Sequence, residues 1–280
     1  CEFLCTEVHF LGLLLDKEGL HTDPDKVLAV TKYPPPTTMK ELRRFLGMAG
    51  YFRRFISNYS AIAKPLTHLQ EKDVVWHWSP ECQAAFEELK RCLTSAPVLV
   101  WPDFAKPFYI ETDASHYGIG AQLLQRQGEE ELDIESKIIL DTETPLLKQA
   151  DFKPIAFISK ALNKHERNYG ASEKEALAVV FASKQFENYC YRRPVYIITD
   201  CIALKYMLKS KELVGKLARW ALAIQALNPL IIYRQGRINE MADGLSRTPF
   251  SEFEQMAAEA FPIDDDEDDD FPNLEIRPEI

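Results

Sequence analysis

Hydrophobic positions change their spacing several times along this chain. From Val8 to Asp16 they run almost unbroken, which predicts a strand. Asp16-Lys17-Glu18-Gly19 predicts a turn into a second short extended piece, and so a hairpin. Pro34-Pro35-Pro36 is a stiff break. Beyond it the spacing becomes three and four. Leu42, Phe45, Leu46, Ala49, Phe52 and Ile56 share one helical face, which predicts a helix over 38–59. Thr37 or Thr38 is its N-cap, and Glu41 lies in its first turn. Gly47 and Gly50 cost that helix roughly 1 kcal/mol each against alanine. A tight helix crossing and close approach of a nucleic acid account for them equally well. A second amphipathic helix is expected over 79–94, with Ser79 as N-cap and Pro80 at N1. Its inward set is Ala84, Ala85, Phe86, Leu89 and Leu93. Trp76 and Trp78 read as packing residues rather than platforms for stacked bases.

From about 104 the pattern alternates strands with helices. Phe108–Asp113, Gly118–Leu124, Ile155–Ser159, Val195–Asp200 and Leu230–Arg234 are the expected strands. Helices are expected at about 172–190, 202–209, 213–226 and 239–246. The stretch 126–152 is acidic and irregular and reads as a surface loop, disordered in part. Three strands, a helix, a strand, helices, a strand and a helix give a mixed five-stranded sheet flanked by helices, of α/β (α+β) class. No internal repeat is present.

Composition adjusts this picture at three points. A chain of 280 residues is long for one core, and two modest domains are expected. No run of about 18 apolar residues occurs, so neither a transmembrane helix nor a membrane partner is expected. The start, Cys1-Glu2-Phe3-Leu4-Cys5, has no initiator Met and no signal-peptide pattern, and reads as part of something longer. Six cysteines without a CxxC pair argue against a zinc site or a disulfide framework and for reduced, mostly buried thiols inside a cell. The net charge of −10 belongs to the tail. Residues 251–280 hold twelve acids and one base, so residues 1–250 carry a net +1. A near-neutral body still binds a polyanion if its bases cluster. Lys40, Arg43, Arg44, Arg53 and Arg54 form such a cluster, with Glu41 the only acid between 38 and 59. It reads either as a solvated face or as a phosphate-facing strip, and its density favours the strip.

Four carboxylates carry the chemistry. Asp113 and Asp200 end strands, Glu175 opens a long helix, and Asp243 opens a short one. Each has a plain alternative. Asp113 suits a turn, Glu175 a capping box with Ser172, Asp200 a cap for the next helix, and Asp243 a charge against a helix dipole. Together they point to a shared divalent metal, since hard oxygen ligands favour Mg²⁺ or Mn²⁺. Two such ions clamp the attacking and leaving oxygens of a phosphodiester.

The segments "FYIETDASHYGIGAQLL" at 108–124, "KPIAFISKALNKHERNYGASEKEALAVVFASKQFENYC" at 153–190, "VYIITD" ending at Asp200 and "LARWALAIQALNPLIIYRQGRINEMADGLSR" at 217–247 resemble the RNase H domain of gypsy-type long-terminal-repeat retrotransposons. Upstream, "VHFLGLLLDKEGLHTDPDKVLAV", "PPPTTMKELRRFLGMAGYFRRFISNYSAIAKPL" and "FEELKRCLTSAPVL" resemble the palm end and thumb of the same reverse transcriptases. The likeness covers roughly 1–248. It implies an RNase H-like sheet at 104–248, with 126–152 inserted, preceded by a small helical thumb with a β-hairpin at 1–100 and followed by an acidic linker at 249–280. The resemblance implies that Asp113, Glu175, Asp200 and Asp243 are catalytic and bind two Mg²⁺ (Mn²⁺ as substitute). It implies that the RNA strand of an RNA–DNA hybrid is the substrate, and that reverse transcription in a cytoplasmic particle or the nucleus is the setting. The implied partners are an upstream fingers and palm and a downstream integrase. The chain departs from the family pattern at Cys201, where relatives usually carry His, and at Gly244, where Ala is commoner. The 126–152 loop is also longer than usual. Gly236-Arg237-Ile238-Asn239 supplies no histidine near the last carboxylate. No Tyr- or Phe-x-Asp-Asp turn flanked by strands is present, so the chain by itself is not expected to polymerise DNA. The alternative is a retroelement-derived module of the same fold that binds nucleic acid or protein with little or no turnover.

Overall fold

The computed structural model describes residues 5–126, 138–141, 152–201, 204, 207–208 and 215–234. The expected hairpin is a small sheet of four antiparallel strands in the order β1-β2-β3-β4: Glu7–Phe10, Leu13–Asp16, Gly19–Thr22 and Leu99–Val100. The apolar run from Val8 to Asp16 is therefore two strands. Leu11 (φ 50°) and Gly12 (φ 76°) both take left-handed backbone and fold it back on itself as a two-residue turn. Apolarity marked extended chain there but gave no sign of the reversal. Asp16 closes the next turn by accepting from the Glu18 and Gly19 backbone N–H groups.

Helix α1 (Pro24–Thr31), capped by Asp23, was absent from the sequence expectation. Its Asp-Pro start was the available signal. Helix α2 (Met39–Tyr51) is shorter than the expected 38–59. Thr38 caps it, and Glu41 reaches back to Thr37. The chain then tightens into a 3-10 turn (Arg53–Phe55), and Asn58 takes left-handed backbone (φ 53°). Short helices α3 (Tyr59–Ile62) and α4 (Lys64–His68) follow, then α5 (Pro80–Thr94), capped by Ser79. The whole predicted face of α2 is buried even though the helix breaks, because the 3-10 turn keeps Phe55 and Ile56 pointing into the same core. Against them pack Phe86, Leu89 and Leu93 of α5. Ala84 is exposed, contrary to expectation, and Cys82 takes its inward place. Trp76 and Trp78 stack on each other at the edge of this core, as packing residues.

The second sheet has six strands in the order β7-β10-β9-β5-β6-β8. Five are those expected: β5 (Phe108–Ala114), β6 (Gly118–Arg126), β8 (Phe152–Ala161), β9 (Val195–Thr199) and β10 (Leu230–Arg234). The sixth, β7 (Ile138–Asp141), comes from the predicted loop and pairs in parallel with β10. The rest of that loop lies outside the described residues. β5 and β6 form an antiparallel hairpin turned by Ser115 and Gly118. The crossover from β8 to β9 carries α6 (Lys164–Arg167), α7 (Ala171–Gln185) and α8 (Glu187–Cys190), so the predicted helix over 172–190 is interrupted at Phe186. A last described helix, α9 (Gly215–Gln225), leads into β10. Phe108 and Ile110 on one face of β5 meet Val179 and Val180 of α7 in the larger core. Tyr109 stacks on Tyr196 on the opposite face.

The two sheets are not separate bodies. Phe157 of β8 packs against the N-terminal core. Ser60 docks on Ser159 through its backbone N–H (3.0 Å) and its hydroxyl (3.0 Å). The expected helices at 202–209 and 239–246 and the tail at 249–280 fall largely or wholly outside the described residues.

Candidate active site

Strands β5 and β9 are parallel neighbours, with Glu111 opposite Ile198. Asp113 and Asp200 each stand two residues further along, so the register puts both carboxylates at the carboxyl ends of adjacent strands. This is the end at which open α/β sheets receive ligands. Glu175 enters from the first turns of α7. Burial pushes its carboxyl up to about 8, and the charges of Asp200 and then Asp113 push in the same direction, with the Ala114 backbone N–H a partial offset. Desolvation also raises Asp200, although the residue as a whole is exposed. A hydrogen bond from its own backbone N–H opposes that rise, and the Asp113 charge adds to it. Three of the four sequence-selected carboxylates thus come within electrostatic reach of one another. Asp243 lies outside the described residues.

Glu175 Oε2 is buried and has no hydrogen-bond partner among the described residues. A buried carboxylate oxygen without a donor is costly. Like charges around it raise that cost, and a cation between them removes it. The donor set therefore fits a hard divalent ion, although among the described residues no three His, Cys, Asp or Glu side chains stand ready as a metal cage.

The helix-capping alternative for Glu175 is answered by its neighbour. Glu173 accepts from the Gly170 backbone N–H (2.9 Å) and from Lys216 Nζ (2.9 Å). The cap is Glu173, and Glu175 is free of that duty.

Three residues near the carboxylates escaped the sequence reading, and a fourth, Cys201, was marked there only as a departure from the family pattern. Asn58 Nδ2 donates to Asp113 Oδ2 at 2.6 Å. Gly120, opposite Asp113 on β6, gives Asn58 room, since a Cβ there would lie 1.8 Å from Asn58 Oδ1. Tyr233 of β10 feels the Asp200 charge. Buried Cys201 lies beside the site, with its Sγ near the Ser172 carbonyl (3.7 Å). An asparagine before Tyr59-Ser60 carries only a capping signal in sequence. In the fold its side chain makes no cap bond and turns to Asp113 instead.

The basic strip comes in two pieces. Lys40, Arg43 and Arg44 share a face of α2, and Arg53 and Arg54 lie on the following 3-10 turn. All five are exposed, and the ion pairs found among the described residues lie elsewhere. Gly47, one turn beyond Arg43 and Arg44, faces open space, with no atom within 4 Å of a Cβ built there. No helix among the described residues crosses at that point. Tyr59 lies over Gly50 instead, with its hydroxyl 3.4 Å from a Cβ built there.

Residues 103–227 match the model of the RNase H-like domain found in reverse transcriptase. The chain belongs to the gypsy-type retrotransposon Pol polyproteins. It is 36% identical to the retrovirus-related Pol polyprotein from transposon opus of Drosophila melanogaster, over 97% of this chain and 26% of that protein. It is 39% identical to the one from transposon 297 of the same fly, over 90% and 22%. It is 33% identical to the transposon Tf2-3 polyprotein of Schizosaccharomyces pombe, over 98% and 19%. The chain thus spans a fifth to a quarter of the length of these relatives. Foamy viral protease-reverse transcriptase shares the fold. Its complex with double-stranded DNA superposes with a TM-score of 0.62 at 21% identity, over 84% of this chain and 39% of that one. Its complex with an RNA/DNA hybrid gives 0.61 at 20%, over 96% and 32%. Among the described residues no helix is long and apolar enough to cross a membrane.

Proposed function

We propose that this segment is a ribonuclease H that hydrolyses the RNA strand of an RNA–DNA hybrid during reverse transcription, as part of a longer Pol protein with polymerase and integrase partners. The observation that carries the reading is the buried, unpartnered Glu175 oxygen near Asp113 and Asp200, which stand at the carboxyl ends of two adjacent parallel strands; burial first, and then the charges of Asp200 and Asp113, raise the Glu175 carboxyl. Asp243 is the proposed fourth member. When bound there, two Mg²⁺ ions, or Mn²⁺ in their place, supply charge neutralisation and an activated water. The chain's own part is to hold the acids in place. β5 and β9 fix the spacing of Asp113 and Asp200, and α7 presses Glu175 into a poorly solvated position where its carboxyl holds its proton up to about pH 8 and a bound cation would displace that proton to solvent. The bases of α2 and the 3-10 turn act as the phosphate track of a thumb. Gly47 leaves room for a nucleic-acid backbone. Such contacts position a duplex without reading sequence, so cleavage is expected to tolerate any sequence and to weaken with salt. Discrimination for RNA is assigned to contacts with 2′-hydroxyls across the minor groove.

A second reading is a duplex-binding module without turnover. It is favoured by the absence of a ready-made metal cage among the described residues and by the end of the family match at 227, ahead of Asp243. One assay separates the two: a labelled hybrid with Mg²⁺, with EDTA, and with Asp113→Asn. Cleavage that needs Mg²⁺ and Asp113 supports the nuclease. Tight binding with no cleavage in Mg²⁺ or Mn²⁺ supports the module. Cleavage that survives EDTA and Asp113→Asn overturns the metal assignment.

A further inference from the structure

We infer that Asn58, contributed by the N-terminal unit, is a positioning residue for Asp113. The inference rests on the nuclease reading and names a residue outside the four acids. Its amide donates to Asp113 Oδ2, which is the only side-chain hydrogen bond that Asp113 makes among the described residues. A ligating carboxylate held through one oxygen keeps the other for a cation, and such outer partners typically fix ligand orientation and affinity.

The contact is built rather than incidental. Asn58 adopts left-handed backbone, which asparagine tolerates better than most residues. Its Oδ1 occupies the space left by the missing side chain of Gly120. Two residues on, Ser60 is pinned to Ser159 of β8, and Ala61 rests on Gly118, with its N and Cβ 3.6 and 3.7 Å from a Cβ built there. The segment is thus seated across β5, β6 and β8. Tyr59, between the two anchors, packs against Gly50 at the end of α2. The basic helix and the Asp113 carboxylate are therefore joined by a short chain of packed residues.

The opposite role, a plug that closes the site, is disfavoured by two features. Asp113 and Asp200 stay exposed with Asn58 in place. The donor is also a neutral amide, which cannot replace a cation among three carboxylates as a Lys or Arg would.

The test compares wild type with Asn58→Ala and Asn58→Gly. The glycine accepts the same left-handed backbone without strain, lacks the donor and adds no charge. It guards against a folding defect, which melting curves monitor. Mn²⁺ affinity is measured by titration calorimetry in the absence of nucleic acid, and kcat and KM are measured on a hybrid. Expected is a 10- to 100-fold loss of Mn²⁺ affinity and of kcat in both variants, with KM for the hybrid within about twofold of wild type. Unchanged Mn²⁺ affinity and kcat in both variants overturns the inference, and so does a gain in kcat, which marks the contact as an obstruction. Asp113→Asn is run alongside. If it cleaves like wild type, the nuclease reading fails; if it is inactive while the Asn58 variants match wild type, only the role of Asn58 fails.

Discussion

Glu173 and Glu175, two positions apart at the start of α7, have opposite electrostatic surroundings. Glu173 is nearly buried but is satisfied by the Gly170 N–H and by Lys216, whose ammonium also lies over the Tyr169 ring at 4.0 Å. Glu175 is partly buried, faces two other acids, and has an oxygen with no donor. A rotation of about 200° around a helix separates them, and that rotation divides the carboxylate satisfied within the fold from the one proposed to hold a cation.

A pH-linked stability follows from Glu175. Its carboxyl titrates near 4.5 in an unfolded chain and is raised to about 8 in the fold. The folded state therefore binds the extra proton between those values, and the stability it brings is present below the lower value and lost as pH climbs through the upper. In EDTA the unfolding free energy is expected to fall from about pH 5 to about pH 8, by no more than about 1.4 kcal/mol per pH unit for one proton, which is read as a falling melting temperature. Glu175→Gln should flatten that profile. A wild-type profile that rises with pH contradicts the assignment.

Glu173→Ala should act on stability alone. Losing the cap and the Lys216 pair is expected to cost about 1–2 kcal/mol, read as a lower urea midpoint. Hybrid cleavage per folded molecule should persist. Glu175→Gln should do the reverse, with cleavage lost and the metal-free fold intact.

Gly120→Ala approaches the Asn58 contact from the other side. The new Cβ would fall on Asn58 Oδ1, so the amide must leave Asp113. Mn²⁺ affinity is expected to drop about tenfold or more, with native secondary structure retained in circular dichroism. An unaltered affinity would mean that the amide does nothing for the carboxylate.

For the basic strip, Arg43→Ala with Arg44→Ala should weaken hybrid binding and lower the slope of log affinity against log salt by about 2. Fluorescence anisotropy between about 50 and about 200 mM salt reads it. The turnover rate at saturating hybrid should be unchanged, because neither arginine adjoins the carboxylates.

Much of this fold was legible because one physical signal dominated each element. The strands of the larger sheet were marked by apolar runs, two of which (β5 and β9) lead to a carboxylate, and α2 and α5 by a capped, one-sided face. The signal failed where two tendencies competed. Leu11-Gly12 reverses an apolar run because the turn needs left-handed backbone, and apolarity does not report backbone hand. β7 was hidden in a stretch whose acidity reads as loop, since a short edge strand needs only one neighbour to pair with. The three described carboxylates could be named from the sequence because each sits at the end of a recognisable element. Asn58 could not, because its partner lies 55 residues away and its value depends on a glycine in a third segment.

The seating of Phe157 and Ser159 against the N-terminal unit decides how this protein can be dissected. A piece begun at residue 104 would lack Asn58 and leave one aromatic side chain of β8 facing water. Weak cleavage or clumping by such a truncated piece would be expected from the missing wall alone, so the proposed activity is to be measured with the first hundred residues attached.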